Sequence, residues 1–335
     1  MTGHGTRRIR EGGRGEALPP AGAETDGRLD PPEKRGRGGR TAGEAVWGYL
    51  FLAPWFVGLF VLTAGPILYS LYLSFTDYSL LSPPQWTGLD NYARMFTEDP
   101  RYFQALKVTF IYVFLSVPIE LAFALLVAVL LNRGLNTMDT YRTLYYVPSL
   151  LGGSVAIAIM WQQVFGDQGL VNKLLESFGI QDAPGWVSTP KYALYTLVIL
   201  QVWQFGAPMV IFLAGLRQIP QEFYDAAAVD GAGPVARFLR ITVPLLTPII
   251  FFNLILRLIN AFQAFTPAFI VSGGTGGPSD STLFYTLYLY KEAFANFRMG
   301  YAAAMAWVLL LIIATFTAAN FLMGRYWVHY GDERR

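Results

Sequence analysis

The sequence predicts an all-α polytopic membrane protein with six transmembrane helices and both termini in the cytoplasm. Three observations predict it. The 335 residues are 53% hydrophobic and only 14% charged, with a mean hydropathy of +0.37, far more apolar sequence than a water-soluble domain of this size needs. Most of that sequence is gathered in six runs, at 46–73, 105–131, 142–165, 192–216, 241–272 and 301–324. Each is near or above the about 20 residues that carry a helix across hydrocarbon. The basic residues, finally, alternate between connections. Nine Lys and Arg precede the first run, Arg133 and Arg142 flank the second connection, Arg217, Arg237 and Arg240 lie in the fourth, and three follow the last run. The other connections are poorer in positive charge for their length, and the first carries Asp77, Asp90, Glu98 and Asp99. Cytoplasmic connections of plasma-membrane proteins keep the Lys and Arg, so the segment 217–240 faces the cytoplasm.

Residues 1–43 are rich in Gly, Arg, Pro and Glu with almost no apolar content, and cannot bury a core. They read as a disordered cytoplasmic tail. Glu11, Glu16, Glu24, Asp26, Asp30 and Glu33 dilute its basic charge, which argues against nucleic acid as a partner. The first run starts too late and is too long for a cleaved secretory signal, and is expected to be an uncleaved anchor. The first and fifth runs exceed a simple span, so tilt, a break or an interfacial extension is expected there. Pro54, Pro66, Pro118 and Pro267 predict kinked helices. In the third connection, Leu170 to Phe178 reads as a short amphipathic helix between turns at Gly166 and Gly179.

Several chemistries are excluded. There is no cysteine, and the only histidines are His4 and His329, so thiolate nucleophiles, disulfides and histidine metal sites have no residues to build them. The stretch Gly273-Gly274-Thr275-Gly276-Gly277-Pro278 lacks the Lys-Ser/Thr of a phosphate loop, the next lysine being Lys291. It is a flexible turn on the external side. The chain is not an enzyme and binds no cofactor of its own.

Charged and amide groups inside the apolar runs are costly, about 2.5–3.5 kcal/mol or more for a charge at mid-membrane. Glu120 and Arg257 therefore face each other or a cavity. Asn253, Arg257 and Asn260 stand four and three residues apart on one helical face, which Gln263 extends. Gln201 and Gln204 share a face in the fourth run, beside Trp203. Amides with aromatics suit a polyhydroxylated solute, whose hydroxyls need hydrogen bonds and whose ring C–H faces need a flat apolar surface. The alternative is polar packing between helices. An ion-coupled secondary transporter is the competing function; it wants titratable groups at the midplane, where Glu120 is the obvious acid.

In the fourth connection Pro220-Gln221-Glu222 starts a helix and Asp225-Ala226-Ala227-Ala228-Val229-Asp230-Gly231 ends it at a glycine. The alanines keep it thin enough to lie in a groove of another protein, with Phe223 and Tyr224 as anchors. Together with Ile241-Thr242-Val243-Pro244, this order resembles the Glu-Ala-Ala loop of binding-protein-dependent ABC importer permeases, in the carbohydrate-uptake branch. Gly88-Leu89-Asp90-Asn91-Tyr92, Phe165-Gly166 with Gly169-Leu170-Val171-Asn172, Gly276-Gly277-Pro278 and Met299-Gly300-Tyr301-Ala302 extend the likeness over the membrane part, 44–335.

The resemblance implies a type I ABC importer permease fold in which this loop is the cytoplasmic coupling helix. Phe223, Asp225, Ala226, Ala227, Asp230 and Gly231 would dock on an ATPase subunit, with Ile241 and Pro244 fixing the junction to the fifth span. It implies as partners a second permease subunit, two ATPase subunits holding ATP and magnesium, an external solute-binding protein and a sugar. Asp225 stands where the family usually has Glu, and Val243 where it has Leu; both keep the charge or the apolarity.

Overall fold

A helix of 32 residues, Pro100–Leu131 (α4), organises the computed structural model, which describes residues 42–132, 138–180 and 182–329. Nearly all of the expected tail 1–43, with the connection around Arg133 and the last residues, lies outside these. Two units separate, residues 1–59 and 60–335. In the first lies α1 (Ala42–Val57), which contains Pro54 and carries an edge-to-face contact of Trp55 with Phe56.

The second unit contains everything else. α2 (Gly65–Ser74) continues a π-helical segment, Gly58–Ala64, and carries Pro66 near its start. It leads into a hairpin of β1 (Thr76–Ser79) and β2 (Ser82–Trp86), antiparallel, with Thr76 opposite Trp86. The fold is thus helical with one small sheet that hydropathy does not predict. α3 (Asp90–Thr97) and α4 follow. The third expected span, 142–165, is two helices, α5 (Met138–Leu151) and α6 (Val155–Phe165). The chain turns by 102° there. The break falls at Gly152-Gly153, after which Ser154 caps α6 by accepting from Ile157 N at 3.3 Å. α7 (Leu170–Ser177) matches the predicted amphipathic helix.

The fourth span is broken too, α8 (Pro190–Trp203) meeting α9 (Gly206–Leu216) at 42°. Pro208 has no N–H for the Gln204 carbonyl, which favours the break. Then come α10 (Gln221–Val229), α11 (Pro234–Arg237), a π-helical turn Phe238–Thr242, and α12 (Val243–Phe262). α13 (Thr266–Val271) has Pro267 in its first turn; α14 (Tyr285–Tyr290) and α15 (Met299–Trp327) complete the unit. Among the described residues, four helical stretches are long and apolar enough to cross a membrane, and counting each of the two bent pairs as one span gives six. Pro118 makes no break: α4 continues through it.

The buried residues of α4 explain its place. Tyr102, Ala105, Thr109, Tyr112, Ser116, Glu120, Ala124, Ala128 and Leu131 recur at three- and four-residue steps, one face of a helix. Small members of the stripe let α8, α9 and α12 approach closely. Where α15 begins, Gly300 lies against β1; a Cβ there would sit 2.1 Å from the Thr76 carbonyl oxygen.

One carboxylate ties three helices at this end. Asp99 caps α4, its Oδ1 accepting from Arg101 N at 3.0 Å and Tyr102 N at 3.2 Å. Its Oδ2 accepts from the hydroxyls of Tyr288 in α14 and Tyr301 in α15, both at 2.6 Å. Burial pushes this carboxyl up, but the four hydrogen bonds together outweigh burial and hold it below its ordinary value. A depressed carboxyl stabilises the fold above the ordinary aspartate range and loses that contribution as pH falls through its own value. Asp99→Asn is expected to lower stability at neutral pH by about 1–3 kcal/mol and to flatten its acid dependence. Thermal unfolding in detergent across pH 3–7 is the measurement; parallel curves for variant and wild type would contradict the assignment.

Candidate functional site

Inside the bundle, Glu120 of α4 is completely buried, with 0% exposure. Its Oε2 accepts from Gln201 Nε2 of α8 at 2.8 Å, and Gln201 Oε1 in turn accepts from the Tyr112 hydroxyl at 3.1 Å. Arg257 of α12 approaches from the other side, Nη1 lying 3.2 Å from Glu120 Oε1. That contact is an ion pair without the alignment of a hydrogen bond, since Oε1 accepts none. The expected pairing of Glu120 with Arg257 is therefore present, and Tyr112, which sequence reasoning missed, extends it. Tyrosine on an apolar helix gives no signal of its own.

The remaining polar candidates separate. Asn253 is buried and donates from Nδ2 to the Ile249 carbonyl of its own helix at 3.1 Å. Arg257 is largely buried, its side chain 16% exposed at the edge, while Asn260 and Gln263 are open. The line along α12 thus runs from packed at Asn253 to accessible at Gln263. Gln204 sits at the α8–α9 break and donates to the Leu200 carbonyl at 3.4 Å. It fills the gap left by Gly152, where a Cβ would lie 2.2 Å from its Cγ, so the breaks of the third and fourth spans touch. Trp203 lies tilted against Trp161, ring centres 6.1 Å apart, and lines a cleft of about 480 Å³ with Phe123, Tyr145 and Phe205.

At the other place of interest, between α9 and α12, α10 has no buried residue. Phe223 is 51% and Val229 90% exposed, beside open Asp225, Ala226 and Asp230. Gln221 Nε2 donates to Asp225 Oδ1 at 3.1 Å. The C-terminus closes as a Schellman motif: Ala232 N donates to Ala227 O at 2.9 Å and Gly231 N to Ala228 O at 3.1 Å. Gly231 takes φ of +77°, a left-handed conformation that a Cβ disfavours. Two contacts fix the helix to its neighbours. The Tyr224 hydroxyl meets Thr242 Oγ1 at 2.9 Å, and Arg237 Nε donates to the Ala232 carbonyl at 2.7 Å. Ile241 lies in the π-helical turn and Pro244 in the first turn of α12, so the predicted junction residues form the joint between α11 and α12.

A bundle of broken and unbroken spans, a polar network across three of them and a bare helix offered at one end define a membrane permease subunit. Residues 99–326 match the family described as binding-protein-dependent transport system inner membrane component, and the chain belongs to that family. It is accordingly a multi-pass membrane protein that transports rather than catalyses, and works with a solute-binding protein. A relative from Bacillus subtilis, the probable ABC transporter permease protein YesP, is 53% identical over 85% of this chain and 93% of its own. The lactose transport system permease protein LacF of Rhizobium radiobacter is 34% identical over 84% of this chain and 94% of its own. Among solved structures, a bacterial ABC transporter involved in the import of the acidic polysaccharide alginate shares the fold. Its TM-score is 0.73 at 20% identity, covering 85% of this chain and 96% of that one.

The ion pair sets a stability expectation. Removing one partner of a buried pair leaves a charge uncompensated, costing about 3–5 kcal/mol. Arg257→Met or Glu120→Gln alone should therefore destabilise more than the two together. Thermal unfolding of the three variants in detergent gives the cycle, and additive losses would show that the two side chains are not coupled.

Proposed function

We propose that this chain is one of two permease subunits of an ATP-driven sugar importer, working by alternating access in the plasma membrane. Both termini and α10 face the cytoplasm, the side to which the Lys- and Arg-rich connections belong. Two ATPase subunits bind ATP and magnesium, and α10 lies in a cleft of one of them. Phe223 and Val229 give it apolar anchors, and Asp225 and Asp230 its polar contacts. ATP binding closes the ATPase pair and carries α10 with it. The joint at Ile241 to Pro244 passes that movement to α12, which bears Arg257, Asn260 and Gln263.

Sugar as the solute is supported by the family's carbohydrate-uptake motifs and by the relative named for lactose. Asn260 and Gln263 offer amides to hydroxyls, and Trp203 with Phe205 a flat apolar wall. Gln201 is committed to Glu120 and Tyr112, and Asn253 to its own helix, so both set the position of the path more than they contact the solute.

The observation that carries this reading is α10: a helix with no buried residue, yet capped at its C-terminus and fastened at Tyr224. A helix of nine residues with nothing packed on it has little reason to be so fixed unless a partner seats there. Gly231→Pro cannot adopt the φ of +77° and removes the N–H given to Ala228. It is expected to reduce ATP-driven uptake in proteoliposomes to background, and to abolish co-purification of the ATPase subunits, while the chain still inserts. Uptake at the wild-type rate would refute the coupling role of α10.

A further inference from the structure

The polar cleft at the opposite end of α12 has no part in the coupling or in the α12 path. α12 is 20 residues long, about 30 Å, and beyond it α13 leads to the glycine-rich turn. That turn and the connection between α6 and α8 enclose a cleft of about 560 Å³, within the roughly 300–1,000 Å³ usual for small-molecule sites. Gln162, Asp167, Ser188 and Thr282 give it polar walls, and Val187 and Val271 an apolar surface.

Both walls are built. On one, Ser188 Oγ donates to Asp167 Oδ1 at 2.5 Å, close because Gly185 has no side chain to fill the space. Buried Asn172 holds that wall, donating from Nδ2 to the Asp167 carbonyl at 3.0 Å and accepting from Trp186 Nε1 at 2.6 Å. On the other, Gly276 and Gly277 take φ of +97° and +76°, and Thr282 N donates to the Gly276 carbonyl at 2.8 Å. Arg101 grips this turn through Asp280, Nε to Oδ2 at 3.0 Å and Nη2 to Oδ1 at 2.6 Å. A turn with four left-handed glycines is thereby held in one shape.

The second observation is an unsatisfied group. Thr282 is 1% exposed, and its Oγ1 has no hydrogen-bond partner. Gly277 stands beside it, a residue whose Cβ would lie 2.4 Å from that oxygen. Nearly all buried hydroxyls are paired, so one left open in the wall of a polar cleft marks a place for an outside partner. Among the described residues nothing donates to Asp167 Oδ2 either. A carboxylate oxygen wanting donors, a hydroxyl wanting either role and the Gln162 amide suit the adjacent hydroxyls of a sugar ring, and Val187 with Val271 suits its C–H face.

We propose that this cleft is a saccharide subsite at the outer mouth of the pathway, holding one sugar unit before it reaches α12. The proposal rests on the reading of the chain as a sugar importer subunit. The test uses the whole importer with its binding protein in proteoliposomes, given labelled lactose, maltotriose and arabinotriose. Asp167→Asn and Thr282→Val are compared with wild type on whichever of the three is taken up. Thr282→Val removes a hydroxyl that the protein does not use, so its unfolding temperature should hold or rise. The expected result is a KM for uptake raised about tenfold with kcat unchanged in both variants, and unaltered affinity for sugar-free binding protein. An unchanged KM would overturn the mouth subsite and leave the importer reading standing. A fall in affinity for sugar-free binding protein in the same ratio would overturn it too, making the cleft a protein-docking surface. Failure of the wild type to take up any sugar that its own binding protein holds would remove the importer reading itself, and the subsite with it.

Discussion

A carboxylate enclosed by membrane-spanning helices is the constraint around which this bundle is fitted. Glu120 has no water to solvate it, so neighbouring helices must supply charge and hydrogen bonds. Arg257 supplies the charge from α12, and Gln201 the hydrogen bond from α8. Gln201 is held in turn by Tyr112, two turns before Glu120 on the same face of α4. Three helices are thereby fixed in register by side chains that have no alternative partner in hydrocarbon. The small residues on the same stripe of α4 allow those helices to come close enough for the contacts to form.

The two ends of the bundle are organised differently. Where α4, α14 and α15 meet, the Asp99 oxygens receive two phenols and two backbone N–H groups. At the other end α10 is fastened at few points and presents apolar side chains to its surroundings. Such a surface is costly in water and is characteristic of a place where another protein sits. Membership of a binding-protein-dependent permease family fits a bundle that is closely tied at one end and offers an open surface at the other.

Much of this was legible in the sequence, for identifiable reasons. Apolar length alone located the spans, because hydrocarbon sets the length of a helix that crosses it. α7 and α10 could be placed because local signals bound them, Gly166 and Gly179 for one and Pro220 and Gly231 for the other. Glu120 and Arg257 were matched because each is too costly to leave alone. The breaks were not legible: hydropathy averages over Gly152-Gly153 and over Gln204-Phe205, and the helices turn there without losing apolar character. At Pro118 the helix runs on unbroken, since one lost N–H is tolerated where neighbouring helices support the backbone. The hairpin 76–86 was hidden by Pro83 and Pro84, which read as loop. Within the candidate site, the face of α12 was visible from spacing, but not that Asn253 would turn back onto Ile249. The clasp at Asp99 joins residues about 190–200 positions apart, beyond any local pattern.

That clasp has a mechanical consequence. Asp99, with Tyr288 and Tyr301, pins the beginnings of α4 and α15 to α14, so at this end the three helices cannot slide past one another without breaking its hydrogen bonds. From that point α4 and α15, 32 and 29 residues long, run about 48 and 44 Å. Any tilt of these helices must therefore leave the Asp99 contacts in place and be taken up along the rest of their length.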